Sequence, residues 1–378
     1  MVTLEQLERD PHPTLAAIRP VGWVDPLNSW VVTSRALAVQ VLRDPETFTV
    51  DDPRFSTAQV VGPSMLSLDG NPHKAHRDPF ESPFGLAETR HRFAAPVQQT
   101  VADLMTAIHQ TTAAAGRGTA DLRTALAGPL SVAVVAYSLG LPPASAPAVL
   151  GWYSDISESV SGVSAGRPVT DAGAAAFAEL HKHVASGIDS GDSLLAAAAH
   201  AGLGVDQVVA NAAVLMFGGI ETTEGMITNA LWYLLTNPDQ LALVQADPTL
   251  LPNAIEESLR LEPAAAVVDR YATRDGELAG RRIRRGDMVT VSLAGAGRDP
   301  DVFEDPGTFD VRRTNARRHL AFASGPHICL GMHLTRLETL AALEAVLQLP
   351  GLRLAPDSPP PHGLVFRKPS ALNVTWDV

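Results

Sequence analysis

The sequence predicts a mainly α-helical fold with a minor β portion, built as a single large domain over residues 1–378. Three observations predict it. Apolar residues recur at helical spacing through most of the chain between Val101 and Leu235. The texture then changes to four short β-type runs between Val267 and Leu293, joined by glycine turns. No Gly/Ser linker, low-complexity block or repeat divides the 378 residues, and 46% of them are hydrophobic, enough for one large core.

To about Asp52, short helices mix with short strands. Ser29–Thr33 reads as a strand, and Ser34 as the cap of a helix with Ala36, Val39, Val41 and Leu42 on its apolar side. Helical character dominates from Asp69. Periodicity covers Val101–Leu126 and Pro129–Leu139, then Ala144–Ser161 and Thr170–Ser186 around the Gly/Ser-rich loop Val163–Gly166. The longest pattern, Val205–Leu235, stops at Asn237-Pro238, because a residue before proline is pushed out of the helical region. Pro252–Leu261 is a short helix halted before Pro263. Strands are expected at Val267–Tyr271, Glu277–Gly280, Arg282–Arg285 and Met288–Leu293. A long loop, Arg298–Ser324, precedes a final helix from about Cys329 to Leu347 and a small terminal strand region.

A net charge of −12 argues against nucleic acid as a partner. Met1–Arg19 is acidic and polar, without the basic start and apolar core of a signal peptide. No run approaches the ~20 apolar residues of a membrane helix; Val205–Leu235 is interrupted by Gly218-Gly219, Glu221, Glu224 and Asn229. A cytoplasmic location is therefore expected. Lys74, Lys182 and Lys368 are the three lysines. One cysteine, Cys329, excludes an intrachain disulfide. A lone cysteine is ordinarily a small buried hydrophobe, so its neighbours must show otherwise.

They do. In Phe322-Ala-Ser-Gly325-Pro-His327-Ile-Cys329-Leu-Gly331, a Gly/Pro loop delivers a cysteine to the start of a helix, where unpaired N–H groups and the helix dipole favour thiolate over thiol. Gly325 and Gly331 let backbone lie close to a flat cofactor, and Phe322 offers a ring to pack beside the sulfur. This segment resembles the haem loop of the cytochrome P450 family, Phe-x-x-Gly-x-His-x-Cys-x-Gly, at all five fixed positions. The family's usual glycine after the phenylalanine is Ala323 here, a departure read as mild because a methyl group is easily fitted.

Other segments match in the family's order. Glu257 and Arg260 sit at i, i+3 and can pair; alone they would read as a surface salt bridge, but the family uses Glu-x-x-Arg there to lock the core. Gly218-Gly219-Ile220-Glu221-Thr222 would otherwise be a glycine-weakened core helix. It resembles the family's oxygen-activation stretch, which puts Glu221 and Thr222 at the acid and alcohol positions and leaves room at Gly218 for cofactor and dioxygen. His73 and Arg77 share a helix face suited to a carboxylate, matching the family's His-x-x-x-Arg for a haem propionate; Arg270 and His327 match further propionate positions. His76 and His333 match no role and read as surface or packing residues.

The resemblance implies haem b (iron protoporphyrin IX) between the long central helix and the cysteine-loop helix. Cys329 is then the iron ligand, with Phe322, Ala323, Gly325, Gly331, Leu66 and Gly218 also against the cofactor. It implies insertion of one oxygen atom of dioxygen into a small apolar or amphipathic substrate, as in bacterial natural-product tailoring. Phe217, Ala266, Val267, Val268 and Leu372 are the expected substrate contacts. No Gly-x-Gly-x-x-Gly follows a strand and opens a helix, so a separate ferredoxin and its reductase should supply electrons. Asp310–His319, with Arg312, Arg313, Arg317 and Arg318, reads either as a docking patch for an acidic ferredoxin or as a solvated basic loop. Alternatives on the same fold are a coupling, desaturating or peroxide-driven enzyme. A non-catalytic haem-binding sensor or recruitment module is a different class, disfavoured because no sensor-output domain is seen.

Overall fold

Local signals set several element ends. Ser34 caps helix Arg35–Leu42: its hydroxyl accepts the Leu37 N–H at 3.4 Å, one of the amides a helix start leaves without an internal partner. Thr170 does the same for Asp171–Gly187. Asn237-Pro238 ends the central helix, Val205–Thr236, the longest described element. The computed structural model describes residues 2–115, 118–141, 145–164, 166–188 and 193–377. Two residues of the expected elements, Ala144 and Ala165, lie outside them. The described elements are mainly helical, with ten short strands.

The stretch expected as one helix over 101–126 is not one. Helix Leu86–Ala115 starts earlier and runs through Pro96. Strand Gly118–Asp121 then pairs antiparallel with Asn373–Trp376, Gly118 opposite Trp376. A π-turn, Arg123–Ala127, leads into helix Gly128–Ser138. Apolar spacing is a local signal. It cannot register a strand partner some 250 residues away in sequence, and glycine at position 118 weakens any helix there.

Contacts divide the chain into two compact units. The first comprises Met1–Phe48, Val97–Leu130 and Glu221–Val378. Its main sheet places four strands in the order Val21–Val24, Ser29–Val32, Met288–Ser292, Val267–Ala272. Ser29–Val32 runs parallel to Met288–Ser292, and the other neighbours are antiparallel, with Arg270 opposite Val289. Val32, Val41, Leu42, Val289 and Val291 form the core against it.

Glu257 and Arg260 lie on helix Leu251–Leu261 of this unit, and they are no surface pair. Both side chains have zero exposure and are joined by two bonds of 2.7 Å. Arg260 also donates to the carbonyls of Gly297, Pro306 and Thr308, at 2.8, 2.7 and 3.0 Å. Glu257 accepts in addition from Arg313 at 2.8 Å and from the Asp310 N–H at 3.1 Å. One helix thus ties down the irregular chain leading to the cysteine loop.

The second unit comprises Thr49–Pro96 and Ser131–Ile220. Its buried Asn211 accepts from the Met65 N–H at 2.9 Å and bonds His76 Nδ1 at 3.1 Å, while Gln207 bonds His76 Nε2 at 3.1 Å. His76 is a packing residue, as expected; burial lowers its pKa, with the Asn211 bond opposing. These contacts fix helix Gly70–Glu81 and the loop before it against the central helix. Among the described residues, no helix is long and apolar enough to cross a membrane.

Candidate active site

Cys329 is exposed, unlike most free cysteines, so the packing role is excluded by geometry. Its N–H donates to the Phe322 carbonyl at 2.9 Å, closing the loop upon itself. Gly325–His327 forms a 3₁₀ turn, and the final helix runs Met332–Val346 with Gly331 as its N-cap. The helix therefore begins three residues after Cys329, not at it. The amides of Ile328 and Cys329 are spent on the Gly325 and Phe322 carbonyls, so helical bonding starts only beyond them. Gly325 is required twice over: its φ is +77°, and a Cβ there would stand 2.4 Å from the Leu42 carbonyl oxygen.

Ala323 has φ +58°, so its departure from the usual glycine is a matter of backbone as well as space. A left-handed residue with a Cβ costs about 1–2 kcal/mol. Ala323→Gly should relieve part of that, raising unfolding free energy by ~0.5–1 kcal/mol after glycine's own entropy cost. Chemical unfolding measures it; a destabilised variant would show that the methyl group's packing against the neighbouring core outweighs the strain.

Phe322 is held from two sides. The Arg336 guanidinium lies 4.5 Å from its ring centre, and His319 packs at 5.8 Å. Both are bound by Glu256, His319 Nε2 at 3.0 Å and Arg336 Nε at 2.6 Å. Burial would raise the Glu256 pKa, but the bonds from His319 and Arg336 win and hold it at about 2. For His319, burial outweighs Glu256 and lowers the pKa, so Arg336 is the charge partner and His319 a neutral donor.

The central helix is buried along Val208–Val214 and again along Thr223–Leu231. Between them Leu215, Phe217, Gly218, Gly219, Glu221 and Thr222 are open to varying degrees. Leu215, Gly218 and Thr222 follow helical spacing and form one stripe. A Cβ on Gly218 would meet nothing within 4 Å, whereas one on Gly219 would lie 2.6 Å from Val135. Thr223 Oγ1 is 3.3 Å from Thr335 Oγ1, joining this helix to the final one. Glu221 is paired with Lys368 at 2.8 Å.

Arg270 is 5% exposed on strand Val267–Ala272 and donates to the Asp269 carbonyl at 2.7 Å; His327 is half-buried. In the second unit, His73 and Arg77 are both buried on one face of helix Gly70–Glu81, with Arg77 Nε 2.9 Å from Glu81. Leu66 is partly open, in the loop held by Asn211.

Several expected roles change. Leu372 has zero exposure, so its side chain faces no open pocket. Ala266 is 2% exposed in a core with Leu7, Leu15, Val24 and Val31. With Val267 it borders an apolar cavity of about 20 Å³, room for little more than one water. Val268 packs partly against the main-sheet core. Arg313 is no docking charge either: its side chain is 9% exposed and bound to Glu257. Arg336 is likewise committed to Glu256. Arg312, Arg317 and Arg318 remain exposed. Asn211, Glu224, Glu256 and Lys368 were not anticipated, and Lys368 carried one signal, its rarity as a lysine.

Residues 179–370 match the family described as Cytochrome P450. The chain is 35% identical over 305 residues to the 20-oxo-5-O-mycaminosyltylactone 23-monooxygenase of Streptomyces fradiae, covering 78% of this chain and 69% of that protein. It is 33% identical over 362 residues to the cytochrome P450 monooxygenase PikC of Streptomyces venezuelae, covering 90% and 83%. The crystal structure of CalO2 superimposes with a TM-score of 0.87 at 30% identity, covering 98% of this chain and 96% of that one.

Proposed function

Because the chain belongs to the cytochrome P450 family, a monooxygenase with a haem-thiolate cofactor, we propose that Cys329 is the axial ligand of a b-type haem. The observation that carries this is the exposed thiol, presented by a loop that its own backbone bonds close. The residues fit the group. The central helix is opened at Gly218, where a flat macrocycle needs backbone-close approach. Arg270, His327, His73 and Arg77 are cations or donors suited to the two propionates. Phe322, Ala323, Gly325, Gly331 and Leu66 complete the expected lining. The family match, residues 179–370, includes part of each compact unit, and the relative of Streptomyces venezuelae matches over 90% of the chain, which supports one catalytic domain over residues 1–378.

When bound, the haem supplies dioxygen activation at iron, with thiolate donation favouring O–O cleavage. The chain does the rest. Glu221 carries a proton, and the Thr222 hydroxyl, next to it on the open stripe, orients its delivery. Phe217 stands beside them as a substrate contact. The substrate is a small apolar or amphipathic molecule of bacterial natural-product tailoring; the Streptomyces relative named for a tylactone supports that class. Electrons come from a ferredoxin and its reductase. Exposed Arg312, Arg317 and Arg318, in an acidic protein, offer complementary charge to an acidic partner.

Thr222→Ala tests the site. The variant should bind haem and substrate normally, yet divert most reducing equivalents into peroxide. Product and peroxide per NADPH are measured with surrogate redox partners. Full coupling removes Thr222 from the mechanism.

A further inference from the structure

Lys368 Nζ lies 2.8 Å from Glu221 Oε1 and 3.0 Å from Glu224 Oε2. Glu221 and Glu224 stand at i, i+3, so both carboxylates leave the central helix on one side. Arg123 Nε is 2.5 Å from the other Glu224 oxygen. Two carboxylates thus meet two cations. Side-chain exposure is 17% for Glu221, 8% for Glu224 and 13% for Lys368, low enough that salt screens the cluster poorly.

Lys368 is presented by a fixed segment. The Arg367 N–H donates to the Ala264 carbonyl at 2.9 Å, and the Lys368 N–H to that of His362 at 3.2 Å. The buried Arg367 guanidinium donates to Glu262 at 2.6 Å. Asn229, on the central helix itself, donates to the Arg367 carbonyl at 2.9 Å. The backbone is pinned, so the mobile part is the ammonium on its four-carbon stem.

The residue type is informative. Lysine occurs three times among 29 basic residues, and the side chains of Lys74 and Lys182 are both 69% exposed. A guanidinium fork would grip one carboxylate through two parallel bonds. An ammonium is a compact charge with three rotatable donors and can pass between two acceptors without leaving them.

We propose that Lys368 is a positioning residue for proton delivery: shared between Glu221 and Glu224, it aligns Glu221 and releases it by shifting onto Glu224. This rests on reading Glu221 as the acid. On release, the Glu221 carboxylate takes a proton from solvent water. It passes that proton towards the Thr222 hydroxyl, returns to carboxylate and recaptures the ammonium. Arg123, ion-paired to Glu224, keeps that carboxylate in place throughout.

The test uses haem-loaded enzyme and a substrate chosen by its spin-state shift. In Lys368→Met, product per electron pair should fall about tenfold, less than the ~10²-fold expected when a general acid is removed. Peroxide should rise to match, and the solvent deuterium isotope effect on turnover should increase. Lys368→Arg, which keeps the charge but grips one carboxylate through a planar fork, should recover little of the coupling. A second readout needs no turnover. In chemical unfolding, Lys368→Met combined with Glu221→Gln, or with Glu224→Gln, should shift the midpoint by less than the separate shifts added. If Lys368→Met fails to load haem, Lys368→Met/Glu224→Gln, which removes one charge of each sign, is read for the same loss. Unaltered coupling in the lysine variant beside an uncoupled Glu221→Gln overturns the role of Lys368 alone. Full coupling in Lys368→Arg overturns it too, since a fork that holds one carboxylate cannot pass between two. Unaltered coupling in Glu221→Gln overturns the proton-delivery reading itself.

Discussion

Arg260→Ala should cost the fold about 3–5 kcal/mol, the usual penalty for removing one partner of a buried ion pair. Arg260 heads the largest fully buried side chains. Its loss would leave the wholly buried Glu257 carboxylate to Arg313 and one backbone amide, and would strand the carbonyls of Gly297, Pro306 and Thr308. Those carbonyls belong to the segment that carries the chain towards the cysteine loop, so haem content should fall with stability. Arg260→Lys should rescue little, because an ammonium cannot serve the carboxylate and three carbonyls from one planar fork. Chemical unfolding and haem content measure both effects. A loss under about 1 kcal/mol with full haem loading would show that the pair is dispensable.

Cys329→Ala should have the opposite profile, with the fold kept and the chemistry lost. The side chain is exposed, so alanine removes little packing, and apoprotein stability should stay within about 0.5 kcal/mol. NADPH-driven substrate oxidation should drop to background, since nothing else in the loop supplies a thiolate: the chain holds one cysteine. Comparing unfolding curves with turnover separates the two. Retained oxidation in the variant would place the iron ligand elsewhere.

The contrast between Arg260 and Cys329 shows what was legible in the sequence. Cys329 could be read because its chemistry is set by neighbours within a few residues, Phe322, Gly325, His327 and Gly331. Glu257 and Arg260 could be read as a pair by their spacing, but their complete burial depends on carbonyls 37 to 48 residues away and was invisible. The same distance in sequence hid Lys368, which reaches Glu224 across 144 residues, and the strand Gly118–Asp121, whose partner is Asn373–Trp376. Helix extents were legible where a cap or proline marks them, as at Ser34, Thr170 and Asn237. They failed at Cys329, where side-chain pattern gave no sign that loop amides would be used before the helix began. Arg313 is the plainest case of a charge misread. Its basic run suggested a surface, and Glu257 had already claimed it.

Glu338, on the final helix, is buried with one carboxyl oxygen lacking a hydrogen-bond partner, and burial raises its pKa well above the usual range. Burial thus favours its neutral form.

The reduced, carbon monoxide-bound spectrum tests the central claim most directly. With haem b in place, the unaltered protein should show the strongly red-shifted Soret band that a thiolate ligand gives, and Cys329→Ala should lose it while still binding haem. A band at the position typical of nitrogen ligation in the unaltered protein, or a red-shifted band that persists in Cys329→Ala, would contradict ligation by Cys329 and the oxygen chemistry built upon it.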